Sequence, residues 1–237
     1  MSKLGSLYLL PNTLGGEQPF DVLPSVNLQK MEAIKHFVVE DLRVARRFLK
    51  KIGYTHDFEF VKFYELNKHT DSHEISRFIK PLKLGEDIGV LSDAGCPGVA
   101  DPGAKVVALA HQLGAAIKPL IGPNSILLTL MGSGFNGQEF SFNGYLPRDR
   151  KDRIRKFLYL EQLVHKTGAT QLFMDTPFRN NHVIEDMLAQ LKPDTLLCIG
   201  SNITMENERI VTLPVKQWKT KKIDFHKQPV MFALGQF

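Results

Sequence analysis

Residues 87–103 read Asp87-Ile88-Gly89-Val90-Leu91-Ser92-Asp93-Ala94-Gly95-Cys96-Pro97-Gly98-Val99-Ala100-Asp101-Pro102-Gly103. The first part is an apolar, β-branched run closed by a carboxylate, the pattern of a strand buried on both faces. From Ser92 onward, five Gly or Pro and two Asp fill a connection that precedes the helical pattern of 104–113. Ordinary strand-to-helix loops run about two to six residues, and a longer one at the carboxyl end of a parallel strand is where open α/β sheets bind ligands. Glycine lets backbone approach a ligand, proline leaves it little entropy to lose, and Asp93 or Asp101 can accept hydrogen bonds from a hydroxyl or ammonium group. The competing reading is a rigid structural loop in which Asp101 caps the next helix.

The flanks repeat the same unit. An apolar run at 7–10 stops at Pro11-Asn12-Thr13-Leu14-Gly15-Gly16, and a second at 37–39 stops at Glu40-Asp41 before a helix over 42–52 closed by Gly53. Another helical stretch covers 72–79, and a strand over 116–121 follows the Gly114 helix stop and enters Gly122-Pro123. Strands alternating with helices predict a mostly parallel sheet. After a helix from Ser125, the second half offers strands at 139–146, 170–174, 196–199, 208–213 and 229–234, with helices from Asp149 and over 183–191. That texture predicts a mixed, partly antiparallel sheet. The expectation is therefore α/β with two domains, 1–117 and 118–237, sharing one cleft.

Composition narrows the classes. The 237 residues are 43% apolar and 23% charged, too apolar for a disordered polymer and long enough for two cores. A formal charge of +5 permits a polyanionic partner without requiring one. Cys96 and Cys198 form no CxxC pair, so no metal site is expected and a reducing cytoplasm fits. The short apolar run before Pro11 is no signal-peptide core, and nowhere do about 18 apolar residues run together, so no membrane partner is expected. The GxGxxG match at Gly132-Ser133-Gly134-Phe135-Asn136-Gly137 follows a helical pattern instead of a strand and reads as a helix stop. His69 and His73 lack the glutamate of an HExxH site, and neither a GxSxG elbow nor a Walker loop is present. The basic run from Arg148 to Lys156 and the lysine-rich tail 216–227 around Trp218 are solvated faces or phosphate contacts.

The loop SDAGCPGVADPG (92–103), with its flanking strand and helix, closely resembles the SDAGTP-x-x-x-DPG signature of the tetrapyrrole methylase-like superfamily, and within it the small-subunit ribosomal RNA 2′-O-ribose cytidine methyltransferases. The likeness continues through LYLLPNTLGG (7–16), VVEDLR (38–43), PLIGPNSILLTLMGSG (119–134), FNGYLP (142–147), FMDTPFR (173–179) and PVMFALG (229–235). It implies two αβα domains, a homodimer, and S-adenosylmethionine held in the cleft between the domains. Cofactor contacts then fall on Pro11, Ser92, Asp93, Ala94, Gly95, Val99, Ala100, Asn124, Ser125, Met174 and Ala233, mostly through backbone groups.

The implied chemistry is in-line displacement at the sulfonium methyl, in which positioning supplies most of the rate. A protonated ribose hydroxyl is a poor nucleophile, and Glu40, Asp41, Asp93, Asp101 and His69 are the available bases. Glu40-Asp41-Leu42-Arg43 resembles the family's EDTR and makes Arg43 a phosphate or substrate anchor, so Glu40, Asp41, Arg43 and Asp101 are the catalytic candidates. For Glu40 and Asp41 the competing role is as acids of a first helical turn.

The chain departs from the family on the acceptor side. HDHNE becomes Asn67-Lys68-His69-Thr70-Asp71, ESPHR becomes Asp175-Thr176-Pro177-Phe178-Arg179, and RELTKxxE becomes Ser201-Asn202-Ile203-Thr204-Met205-Glu206-Asn207-Glu208. The expected function is S-adenosylmethionine-dependent methyl transfer to RNA, at a ribosomal ribose 2′-hydroxyl or a diverged acceptor. The alternatives are a non-catalytic RNA-binding paralogue and a small-molecule methylase of the tetrapyrrole branch, whose GGDP-like loop this chain lacks.

Overall fold

Runs of apolar residues that do not alternate need cover on both faces of a sheet, and the strands of the first half receive it. The computed structural model describes residues 3–16, 18–66, 70–222 and 224–237. Contacts divide the chain into two units, Met1–Pro123 and Asn124–Phe237. In the first, β1 (Ser6–Leu10), β2 (His36–Val39), β3 (Lys62–Glu65), β4 (Ile88–Leu91) and β5 (Ala116–Pro119) form one sheet in the order β3-β2-β4-β1-β5. Every pairing is parallel. Leu10 and Val39 both sit opposite Leu91, so the three central strands end level with one another.

The helices of this unit are α1 (Val26–Glu32), α2 (Leu42–Ile52), α3 (Ser72–Phe78), α4 (Lys80–Lys83) and α5 (Ala104–Leu113). On one face Leu10, Phe37, Val39 and Leu91 pack with Met31, Phe48, Leu49 and Ile52 of α1 and α2. On the other, Leu7, Val38, Ile88 and Val90 pack with Ile75, Leu82, Val106 and Ala110 of the remaining helices. The chain leaves β2 toward the outer strand β3 but leaves β4 toward β5 on the opposite side. The carboxyl ends of β2 and β4 therefore flank a topological switch point.

The second unit carries α6 (Ser125–Ser133), β6 (Phe140–Tyr145), α7 (Arg150–Thr167), β7 (Thr170–Met174), α8 (Asn180–Gln190), β8 (Leu196–Ser201), β9 (Arg209–Pro214), α9 (Val215–Trp218) and β10 (Val230–Gly235). Its sheet order is β6-β7-β10-β8-β9, parallel between β6 and β7 and antiparallel elsewhere, the mixed sheet expected from sequence. Ile126 and Leu130 of α6 cover one face over Leu172, Cys198, Met231 and Ala233. Phe157, Leu160, Val183 and Met187 of α7 and α8 cover the other over Phe173, Leu197 and Phe232.

Two surface readings are corrected. Trp218 is 6% exposed and donates its indole N–H to Leu197 O at 2.8 Å, so it is core and no contact residue. Part of the basic run at 148–156 is likewise spent internally, because Arg153 and Arg150 reach Asp186 on α8 at 2.7 and 2.8 Å. Among the described residues no helix is long and apolar enough to cross a membrane.

Candidate active site

The loop after β4 is built by its own backbone. Gly95 and Gly98 adopt φ of 68° and 80°, and Ala100 adopts 62°, a conformation that is uncommon for a residue with a side chain. Asp101 braces the bend, its Oδ1 accepting from Gly98 N at 2.6 Å and Gly103 N at 2.8 Å. Ser92, almost fully buried, donates its hydroxyl to Ala94 O and Gly95 O, both at 3.1 Å. A Cβ on Gly95 would sit 3.1 Å from the Leu14 side chain, so glycine there also lets the loop lie against the one after β1.

That second loop is tied in by Asn12, which is 4% exposed. Its amide donates to Ser92 O at 3.2 Å and Asp93 O at 3.0 Å, and its backbone N–H donates to Gly95 O at 2.9 Å. The neighbouring Pro11 is buried, and a Cβ on Gly122 would fall 2.2 Å from it, so glycine is what lets the loop after β5 press against Pro11. Asn12 was missed in the sequence because a lone Asn in a Gly-rich loop reads as a turn residue.

Carboxylates gather at the switch point. Glu40 at the end of β2 accepts from the Asp93 amide at 3.0 Å, joining residues far apart in the chain. Burial raises the Glu40 carboxyl above its ordinary value, opposed by that amide and reinforced by the Asp101 charge. Asp93 is raised by burial and then by Glu40, and Asp101 by burial and, less, by Asp93, against its two amide bonds. Asp41 behaves differently: it is the N-cap of α2, accepting from Arg43 N at 2.8 Å and Val44 N at 2.9 Å, and these amides lower its carboxyl, the Val44 bond most. Arg43 is exposed on the first turn of α2. Ala94, Val99 and Ala100 are exposed on the loop. His69 lies outside the described residues.

The second unit holds the remaining candidates. Asn124 caps α6, its side chain accepting from Ile126 N at 3.0 Å and Leu127 N at 3.2 Å, and Ser125 opens the helix half-buried. Met174 ends β7 half-buried, opposite Met231. Ala233 is wholly buried in mid-strand, inside the core that α6 covers. Past Met174, Asp175 accepts from Arg179 Nη2 at 2.5 Å, while Asp175 Oδ2 and Arg179 Nη1 are buried without a hydrogen-bond partner among the described residues. The diverged segment 201–208 carries left-handed backbone at Asn202 (φ 50°) and Thr204 (φ 71°), and such strain at residues other than glycine clusters at functional sites. Among the described residues no group of three or more His, Cys, Asp or Glu side chains could hold a metal ion.

Comparison with known proteins agrees with this architecture. The solved structure of diphthine synthase superposes over 98% of this chain and 90% of its own with a TM-score of 0.69 at 15% identity, and the methyltransferase CobJ over 98% and 94% with a TM-score of 0.63 at 14% identity, a likeness of fold. In sequence, the Bacillus subtilis (strain 168) protein named ribosomal RNA small subunit methyltransferase I is 30% identical over 89% of this chain and 68% of its own length. The protein of the same name from Halalkalibacterium halodurans is 32% identical over 78% of this chain and 60% of its own. The family model for Tetrapyrrole (Corrin/Porphyrin) Methylases matches residues 28–218, which include the loop after β4 and most strands of both sheets, so the chain belongs to the tetrapyrrole methylase family and is a methyltransferase.

Proposed function

We propose that the protein transfers a methyl group from S-adenosylmethionine to RNA, with a ribose 2′-hydroxyl of small-subunit ribosomal RNA, or a diverged site, as the acceptor. The observation that carries this reading is the carboxylate group at the switch point. Glu40, Asp93 and Asp101 are all raised by burial, and the charges that move them are one another's and, for Asp93, also that of Asp41. A donor set short of positive charge suits a ligand bearing a sulfonium and an ammonium. When bound, S-adenosylmethionine supplies a methyl group on a positively charged sulfur that leaves as a neutral thioether.

The residues divide the remaining work. Asp101 and Asn12 fix the two loops, and Asp41 holds the first turn of α2. Asp93, exposed at the loop's start, faces the ligand's cationic end. Glu40 is the general base: one carboxyl oxygen is anchored by the Asp93 amide, and its raised pKa brings it toward the working range of a proton acceptor. RNA as acceptor rests on the relatives named ribosomal RNA small subunit methyltransferase I. A cytoplasmic homodimer belongs to the same reading, by the family resemblance.

The test is transfer of tritiated methyl from S-adenosylmethionine to small ribosomal subunits from a strain lacking this protein. The expected outcome is label at one ribose, reduced about 10²- to 10⁴-fold in Glu40→Gln. Absence of transfer to any cellular RNA fraction would overturn the reading and favour a non-catalytic RNA-binding paralogue.

A further inference from the structure

Helix α2 buries Ala45, Phe48, Leu49 and Ile52 and turns Arg43, Arg46, Arg47, Lys50 and Lys51 outward. These cations do not form a single face. Arg46 lies over the rings of Phe58 and Phe63 at 5.6 and 5.2 Å, and Lys50 over Phe58 at 5.7 Å, so one pair, four residues apart, is occupied with aromatic packing. Arg47 and Lys51, the next such pair, line a cavity of about 240 Å³ whose other walls are the 12–16 loop and Asp93-Ala94. Leu14, Val44 and Phe48 give it apolar walls. Lys51 donates one ammonium hydrogen to Gly16 O at 2.9 Å, which aims the head group along the loop and leaves two hydrogens to give. Among the described residues the Arg47 guanidinium makes no hydrogen bond or ion pair, although the Asp41 carboxylate lies within reach of its charge, so its planar fork is open to an oxyanion.

We propose that this cavity seats a backbone phosphate of the acceptor strand, with Arg47 and Lys51 as its ligands; the proposal rests on the reading of RNA as the acceptor. The cavity is polarised. Its Asp93 end adjoins the carboxylates and repels phosphate, while its Arg47–Lys51 end attracts it. In RNA the 2′-hydroxyl and the 3′-phosphate hang on adjacent ribose carbons, so a ribose whose hydroxyl lies at the Asp93 end, beside the Glu40 carboxylate that accepts from the Asp93 amide, turns its own phosphate toward Arg47 and Lys51. The two ends together fix which way the strand runs. The volume is below the roughly 300 Å³ at which pockets for drug-sized ligands begin, which suits one sugar–phosphate step and no more.

The test compares two double variants with the same change of charge on the same exposed helix, Arg47→Gln/Lys51→Gln and Arg46→Gln/Lys50→Gln. Each is titrated with a fluorescent single-stranded oligoribonucleotide over a range of salt, and S-adenosylmethionine affinity is measured separately by calorimetry. Each single-strand phosphate contact contributes about 0.7 to the slope of log K against log salt. The first variant is expected to lose about 0.7 of slope, the share of one phosphate, and to raise KM for RNA, with cofactor affinity unchanged; the second is expected to keep the full slope. Equal slopes in the two variants would overturn the proposal while leaving the RNA reading intact. A wild-type protein without salt-dependent RNA binding would overturn both.

Discussion

Asp93 is the carboxylate that the proposed function assigns to the ligand's cationic end. Partial burial and the Glu40 charge raise its carboxyl, which disfavours the charged form in the folded protein. For a group whose folded pKa lies above the unfolded value of about 3.9, the stabilising contribution is fully present below that value and is lost as pH rises through the folded pKa. Asp93→Asn is therefore expected to raise the melting temperature at neutral pH, with the advantage vanishing in acid, and to weaken S-adenosylmethionine binding. Thermal melts at pH 7 and pH 4 check this; a lower melting temperature at neutral pH would show that the carboxylate stabilises the fold instead. Glu40 and Asp93 could each be read from sequence as acids at strand ends. Their pairing through the Asp93 amide could not, because it depends on β2 and β4 being neighbours in a parallel sheet.

At the scale of elements, what was legible followed from burial. β1, β2 and β4 are continuous apolar runs and stood out, whereas β3, with Lys62 and Glu65 around a half-buried Phe63-Tyr64, was missed because an edge strand keeps polar residues that blunt its open side. α1 was missed as well: only Asn27 and Met31 are buried in its seven residues, too few to set a helical period. The cavity beside α2 was illegible for another reason, since its walls come from three separated segments. The basic run on α7 misled in the opposite sense. Arg153 and Asp186 are 8% and 5% exposed, so this pair clasps α7 to α8 where a solvated face was expected. Asp186→Ala would strand the Arg153 guanidinium in the interior and is expected to cost about 3–5 kcal/mol. Denaturant unfolding would register it, and a loss below about 1 kcal/mol would mean that water reaches the arginine. Burial alone would raise the Asp186 carboxyl, but the bonds and charges of Arg150 and Arg153 win and lower it, so this contribution to stability is present above about pH 4 and fades as pH falls through the depressed value.

For the whole molecule, an all-parallel sheet in one unit and a mixed sheet in the other match the fold of solved methyltransferases, and the family match over 28–218 reaches into both units. The carboxylate group lies in the first unit; of the departures from the family pattern, 67–71 falls in the first unit and 175–179 and 201–208 fall in the second. On the proposed reading the first unit keeps the cofactor side while the acceptor side has changed, and a net charge of +5 permits a polyanionic partner without requiring one. The most direct test is isothermal titration calorimetry of the protein with S-adenosylmethionine. The expected result is one site per chain, whose affinity falls as acid protonates the raised carboxyls and falls again in Asp93→Asn. A titration without heat of binding at any temperature, or an affinity indifferent to both acid and Asp93→Asn, would contradict the assignment of the switch-point carboxylates to a cationic methyl donor.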